Sequence, residues 1–289
     1  VSLKARLLLI RPLNIALLAL GQLACFSLFV PRDATQLLFL LLVVLSTTLT
    51  AAAGYTVNDL FDRASDRVSK PKRPLVSGAI SVTNAWVFYF TLLASAFLCA
   101  FFASNTTLIF VVSLCNAALF LYAAFLKRTP LMGNILVSSM AYLSFALGNL
   151  WPHPHASFVS GFAFLAFSVT LYRELLKTNE DFEGDKQAGF KTLPVRIGLP
   201  LAEKIAFLFG ILCGLFLIFS GLQFVPFVPI PQGFTAYSNA LILCGTGFLF
   251  QTFGYHFKPS FSKRIPASFW PKIAIFLVLM ALLNCPVLP

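Results

Sequence analysis

Acidic residues are what this sequence has least of: ten Asp and Glu among 289 residues, against 21 Lys and Arg. With only 11% of residues charged and 58% hydrophobic, the mixed-charge surface of an ordinary soluble domain is excluded. The cysteines lack pattern as well. Cys25, Cys99, Cys115, Cys213, Cys244 and Cys285 lie inside or beside apolar stretches and form no C-x-x-C pair, so neither a zinc cage nor a disulfide framework is expected. His153 and His155 sit in WPHPH without further ligands nearby and His256 stands alone, so no histidine metal centre is expected either. The first apolar stretch follows Arg11 and Pro12 with no small-residue cleavage site, which argues against a removed leader. No appended soluble domain is expected.

What the chain has instead is apolar sequence of bilayer length. Mean hydropathy is +0.86, and stretches of about 20 residues recur, long enough to cross the hydrocarbon core. Nine are centred near Leu20, Ser46, Leu93, Cys115, Tyr142, Phe167, Cys213, Thr246 and Leu277. Charge, Pro or Gly separates them, not alternating strand patterns, so the expected fold is all-α, a polytopic membrane bundle of nine transmembrane helices. A net charge of +11 would point to nucleic acid in a soluble protein; here placement decides, and no nucleic-acid partner is expected. When alternate loops are counted, the N-terminus, the 58–84 loop, Lys127 with Arg128, the 173–204 loop and the 258–272 loop share one side. They hold 20 of the 21 Lys and Arg, with Arg32 alone opposite. The positive-inside rule then places the N-terminus in the cytoplasm and the C-terminus outside, in a cell inner membrane.

Eight of the ten acids fall in two short segments on that basic side, NDLFDRASD at 58–66 and RELLKTNEDFEGD at 173–185. Carboxylates beside lipid are costly unless they bind something. Asn58, Asp62 and Asp66 are spaced four apart, one stripe of a helix continuing from the second span, with Asp59 beside Asp62. Asp181 and Asp185 repeat the spacing, and Glu174 and Thr178 extend that stripe backwards. Such oxygens suit a hard divalent cation, and Mg²⁺ in particular binds through a few carboxylates and completes its shell with water or phosphate. Arg63, Arg67, Lys70, Lys72 and Arg73 accompany the first segment, Arg173, Lys177, Lys186 and Lys191 the second, and Lys127 and Arg128 end the fourth span. The expected ligand is a metal-bound diphosphate, with carboxylates holding Mg²⁺ and cations neutralising the remaining charge.

NDLFDRASD resembles the N-D-x-x-D-x-x-x-D motif of the UbiA superfamily of intramembrane prenyltransferases, and KPKRPLVSGAIS is similar to the segment that follows it there. EDFEGDKQAGFKTLPVRIG resembles that family's second Asp-rich motif with its G-x-x-T-L-P. RPLN near the start, YAAFLKRTPLMGN after the fourth span and the nine-span count extend the likeness over most of the chain. There are two departures: Thr178 stands where the second motif commonly begins with Asp, and Tyr122 lies one residue further from Lys127 than in the family's Y-x-x-x-K.

The resemblance implies a single membrane-embedded prenyltransferase domain over 1–289, with the Asp-bearing loops forming a cytoplasmic cap over a lipid-open cavity. It implies an enzyme that transfers a prenyl group from an isoprenyl diphosphate donor to a lipophilic acceptor within membrane lipid. Asp62, Asp66, Asp181 and Asp185, with Asn58, would hold the cofactor Mg²⁺, and Asp59 would be a further ligand or support. Arg67, Lys70, Lys127, Arg128, Arg173, Lys177 and Lys191 would bind substrate. The run from Arg173 to Asp185 with TLP at 192–194 is most similar to the branch that alkylates geranylgeranylglyceryl phosphate, while GAIS and KTLPVRIG also resemble members acting on aromatic quinone precursors or tetrapyrroles. A cation-coupled transporter is the alternative of another class. It would carry its acids near mid-membrane in broken helices, not at one edge.

Overall fold

The computed structural model describes residues 3–31, 33–151, 153–257 and 267–287, so Arg32 and most of the 258–272 loop lie outside the described residues. Among those described, all regular structure is helical. Helix α1 (Leu3–Ile10) and α2 (Pro12–Phe26) meet at a 56° bend. Pro12 has no N–H to continue the ladder and Arg11 takes φ 54, which accounts for the break. Next come α3 (Ala34–Phe61), α4 (Arg63–Ser69), α5 (Val82–Phe102), α6 (Thr106–Ala124) and α7 (Met132–Ala146). They are followed by α8 (Ala156–Glu180), α9 (Phe182–Gln187), α10 (Leu193–Ile197), α11 (Leu199–Gly221), α12 (Thr235–Phe257) and α13 (Trp270–Leu283). Side chains fix several starts: Asp33 accepts from Gln36 N at 3.0 Å, Ser81 from Asn84 N at 3.2 Å and Asn105 from Leu108 N at 2.9 Å.

All nine expected span centres fall in helices, namely α2, α3, α5, α6, α7, α8, α11, α12 and α13. Length and composition support fewer spans. Five helices, α3, α5, α6, α8 and α11, are long and apolar enough to cross a bilayer, and the bent α1–α2 pair makes a sixth if counted as one broken span. Helix α7 stops after 15 residues and passes into a 3-10 turn at Leu147–Leu150. Helix α13 has 14 residues behind a 3-10 turn at Ala267–Phe269. Polar Asn239, Gln251 and Thr252 lower the hydropathy of α12. The protein is an integral membrane protein built from these helices.

The chain divides into two compact units. The first comprises the residues up to Leu23, Pro31–Leu136 and Asp181–Arg196. In it α3 is central and packs on α1, α5 and α6, while α4 lies against α9. Buried polar pairs stitch these helices: Thr47 donates to Gln22 Oε1 at 2.7 Å and Asn116 to Thr50 Oγ1 at 3.1 Å, contacts worth about 0.6 kcal/mol each in lipid. The second unit holds Ala24–Val30, Val137–Glu180 and the residues from Ile197 on. There α11 and α12 approach backbone to backbone. A Cβ on Gly245 would lie 2.5 Å from the Gly214 carbonyl oxygen, so the contact requires glycine.

Candidate active site

Both acidic segments are shaped by a one-residue bend. Helix α3 ends at Phe61 and α4 begins at Arg63, with Asp62 between them at φ −84, ψ 0. Asp181 separates α8 from α9 at φ −86, ψ 1. The continuous stripes expected from the four-residue spacing are thus interrupted. A short polar side chain tolerates ψ near 0 and competes with helix continuation. Yet the backbone ladder holds register through the bends, with Asp62 N donating to Asn58 O at 2.9 Å, Asp66 N to Asp62 O at 2.8 Å and Asp185 N to Asp181 O at 2.9 Å. The carboxylates therefore keep their spacing while the chain turns.

Packing of α4 on α9 joins the two motifs within the first unit. Ser65 donates to Asp185 Oδ1 at 3.3 Å and Lys70 to Asp181 Oδ1 at 2.5 Å. Asn58, Asp59, Asp62, Asp66, Asp181 and Asp185 are all between 2% and 7% exposed. That many buried carboxylates would repel without compensation, and cations supply it. Lys127 donates to Asp62, which also accepts from Asn58 Nδ2 at 2.6 Å. Arg73 donates to Asp59 and, at 2.8 Å, to Asp66. Arg11 donates to Asp59 at 2.8 Å and stands 4.7 Å over the Tyr55 ring.

Burial alone would push the Lys127 ammonium down; Asp62, Asp181 and Asp185 outweigh it and hold the group above its ordinary value, fully charged. Burial pushes the Asp66 carboxyl up, against the pull of Arg73 and Lys70 and with added repulsion from Asp62 and Asp59. Asp185 is pushed up in the same way, opposed by Lys127 and by the Ser65 hydroxyl. Among the described residues none forms an ion pair with Asp185.

The other expected residues are placed less centrally. Arg67 is exposed. Lys191 N donates to Arg128 O at 2.9 Å, tying the second motif to the end of the fourth expected span, and the Arg128 guanidinium lies 5.1 Å over Phe190. Arg173, Glu174, Lys177 and Thr178 belong to the second unit. There Arg173 pairs with Glu174, Lys177 Nζ stands 3.5 Å from the same carboxylate, and Thr178 donates to the Glu174 carbonyl at 2.8 Å. Tyr122 is buried, and Gly133 packs against it: a Cβ on Gly133 would come within 2.9 Å of the Tyr122 ring and 3.1 Å of Lys127 Cα. Sequence reasoning passed over Arg11, Ser65 and Arg73 as site residues, although RPLN and KPKRP stood out as segments.

The donor set fits a hard divalent cation. All the candidate ligands are oxygens, and Asn58 Oδ1 is buried beside Asp62 with no hydrogen-bond partner among the described residues, an acceptor whose desolvation is uncompensated within the protein. Among the described residues no three His, Cys, Asp or Glu side chains converge into a ready-made cage. An ion held by one or two carboxylates with its other positions open to substrate phosphate needs no such cage.

Residues 16–283 match the model of the UbiA prenyltransferase family. The chain is 37% identical over 199 residues to digeranylgeranylglyceryl phosphate synthase of Methanoregula boonei, covering 68% of this chain and 70% of that one. It is 30% identical over 248 residues to the protein of that name from Thermococcus kodakarensis, covering 84% of each. Among solved structures, one of digeranylgeranylglyceryl phosphate synthase in membranes superposes with a TM-score of 0.68 at 26% identity, over 97% of both chains. A UbiA homologue from Archaeoglobus fulgidus, solved with DMAPP and Mg²⁺, has a TM-score of 0.67 at 23% identity, over 96% of this chain and 99% of that one, and shares the fold.

Proposed function

This chain belongs to the UbiA prenyltransferase family, and from that premise we propose that it transfers a prenyl group from an isoprenyl diphosphate to a geranylgeranylglyceryl phosphate-like lipid in a Mg²⁺-dependent reaction. One observation carries the reading: α4 and α9 bring the two Asp motifs into one buried, cation-lined cluster, which Lys70 closes on Asp181 across 111 positions of sequence. Asp62, Asp66, Asp181 and Asp185, with the unpartnered Asn58 oxygen, would hold Mg²⁺, which supplies Lewis-acid neutralisation of the diphosphate. Lys127 and Lys70 already stand at two of these carboxylates and hold positive charge where the leaving group develops negative charge. As the C–O bond to diphosphate breaks, an allylic cation is left for the acceptor hydroxyl oxygen to attack, its proton passing to the released diphosphate or to water. The carboxylates orient and neutralise; they do not attack carbon.

The acceptor assignment is supported by the relatives' shared name and by cations that no described carboxylate engages, Arg128 and Lys191 at the edge of the cluster. We read 1–289 as one prenyltransferase domain and the five or six supported spans as part of a nine-span bundle. In that bundle the N-terminus and the Asp-bearing cap would be cytoplasmic and the C-terminus outside, in the inner membrane; the one-sided distribution of Lys and Arg supports this.

The experiment that tests the function is product mass. Purified protein in detergent receives Mg²⁺, geranylgeranyl or shorter prenyl diphosphates, and either geranylgeranylglyceryl phosphate or a hydroxybenzoate. A product of the phosphorylated lipid heavier by one prenyl unit is expected. Prenylation of the hydroxybenzoate alone overturns the acceptor, and no prenylated product with any acceptor overturns the reaction.

A further inference from the structure

Asp59 stands in the first motif among the candidate ligands, but the structure gives it a different occupation. Its Oδ1 accepts from two guanidinium groups: that of Arg11, at the α1–α2 bend, at 2.8 Å, and that of Arg73 from the segment after α4. The same Arg73 Nη1 also donates to Asp66 Oδ2 at 2.8 Å. Arg11, Asp59, Arg73 and Asp66 thus form a chain of alternating charge. It runs from the first bend, through the last turn of α3, across the Asp62 bend, to α4. All four are largely or fully withdrawn from solvent, with side-chain exposures from 3% to 19%. Arg11 is further fixed over Tyr55, whose hydroxyl accepts from Asn14 at 3.3 Å.

The two carboxylates differ in how far their charge is already answered. Asp59 meets two guanidinium groups through Oδ1, whereas Asp66 meets only the Arg73 group they share, through Oδ2, and retains more of its charge for a metal. Arg73 bridges residues on either side of the bend, so it fixes the angle at which Asp66 is presented relative to Asp62. We infer that Arg73 is a positioning residue, anchored by Asp59 and Arg11, which orients Asp66 toward the divalent cation, and that Asp59 acts through this relay and not as a metal ligand. The inference rests on the metal–diphosphate reading above and assigns roles within it. Arg73 also lessens repulsion between two buried carboxylates by placing one charge against both.

Charge alone makes a single variant ambiguous, because deleting Arg73 removes a positive charge near a cation site. A double-mutant cycle avoids the ambiguity, since residues acting through one contact couple and independent ligands do not. The readout is equilibrium binding of a non-hydrolysable prenyl thiodiphosphate in the presence of Mn²⁺, on full-length protein in detergent, with folding checked by the thermal midpoint. Arg73→Gln and Asp59→Asn are each expected to weaken binding about tenfold, the double variant no more than about threefold beyond the weaker single variant. Losses that multiply to about a hundredfold make Asp59 an independent ligand and overturn the relay, as does wild-type binding in Arg73→Gln. If Arg73→Gln does not fold, Arg73→Lys takes its place in the cycle under the same criteria. Asp62→Asn separates the two levels of argument. If it too binds as wild type, the metal–diphosphate site itself is wrong; if it loses binding while the cycle multiplies, only the relay fails.

Discussion

Asp62 and Asp181 close two bends of nearly the same backbone geometry, yet their neighbourhoods are balanced differently. Around the first bend, Lys127, Arg73 and Arg11 answer three carboxylates with three fixed cations. Around the second, Lys70 answers Asp181, and Asp185 receives a hydroxyl at 3.3 Å in place of a cation. The first half is close to neutral and pre-oriented, while in the second the Asp185 carboxyl, pushed up by burial, is answered by the Lys127 charge without a direct ion pair among the described residues. An incoming divalent cation therefore gains most at the second motif and finds its geometry set by the first. Glu180, one residue before the second bend, makes the contrast sharper. It accepts from Ser268 N at 2.9 Å and Ser268 Oγ at 2.7 Å, exposed bonds internal to the second unit.

The largest effects are expected where the two halves share the ion. Asp62→Ala and Asp185→Ala should each abolish turnover, a loss of about a thousandfold or more, while the protein stays folded in the membrane. Steady-state diphosphate release checks this, and wild-type rates in either variant would remove the assignment. Lys127→Met should cost about a hundredfold in turnover, as expected for deleting one preset charge at a developing anion. A loss confined to stability would make Lys127 structural.

A smaller effect separates the halves by pH. Asp66 and Asp185 have folded-state values raised above 3.8, so the fold binds their protons more tightly than the unfolded chain does. In metal-free buffer their contribution to stability is therefore fully present below about 3.8 and lost as pH rises through the raised values. The thermal midpoint in chelator should fall across that window, and saturating Mn²⁺ should reverse the fall by binding the ionised forms. A midpoint that rises with pH in chelator would contradict the burial argument. The smallest effect belongs to Glu180→Gln. It should leave turnover unchanged and lower stability by at most about 1 kcal/mol, because the contact is exposed; denaturation and rate measured on one preparation decide it.

Much of the site was legible because carboxylates are so rare here that eight of ten fell into two segments, and the four-residue spacing survived folding. The bends at Asp62 and Asp181 were not legible, since a continuous helix and one turned at a single residue share the same i to i+4 pattern. Arg11 and Arg73 were missed as site residues for another reason. Arg11 meets Asp59 across 48 positions and Arg73 meets it across 14, and no local periodicity reports such a pairing. Arg173 and Lys177, read as substrate cations, pair with Glu174 in the second unit, a local i, i+1 and i, i+3 arrangement that mixed-charge helices favour. The span count was less secure than the span positions. Every centre lies in a helix, but 3-10 turns shorten α7 and α13 and polar side chains interrupt α12.

The most direct test of the central claim is diphosphate release from a prenyl diphosphate by the purified protein, followed first in excess EDTA and then after Mg²⁺ is added back. The account predicts no release in chelator and recovery of the full acceptor-dependent rate on restoring Mg²⁺. A rate that persists in EDTA would contradict a cluster whose carboxylates work by holding a metal.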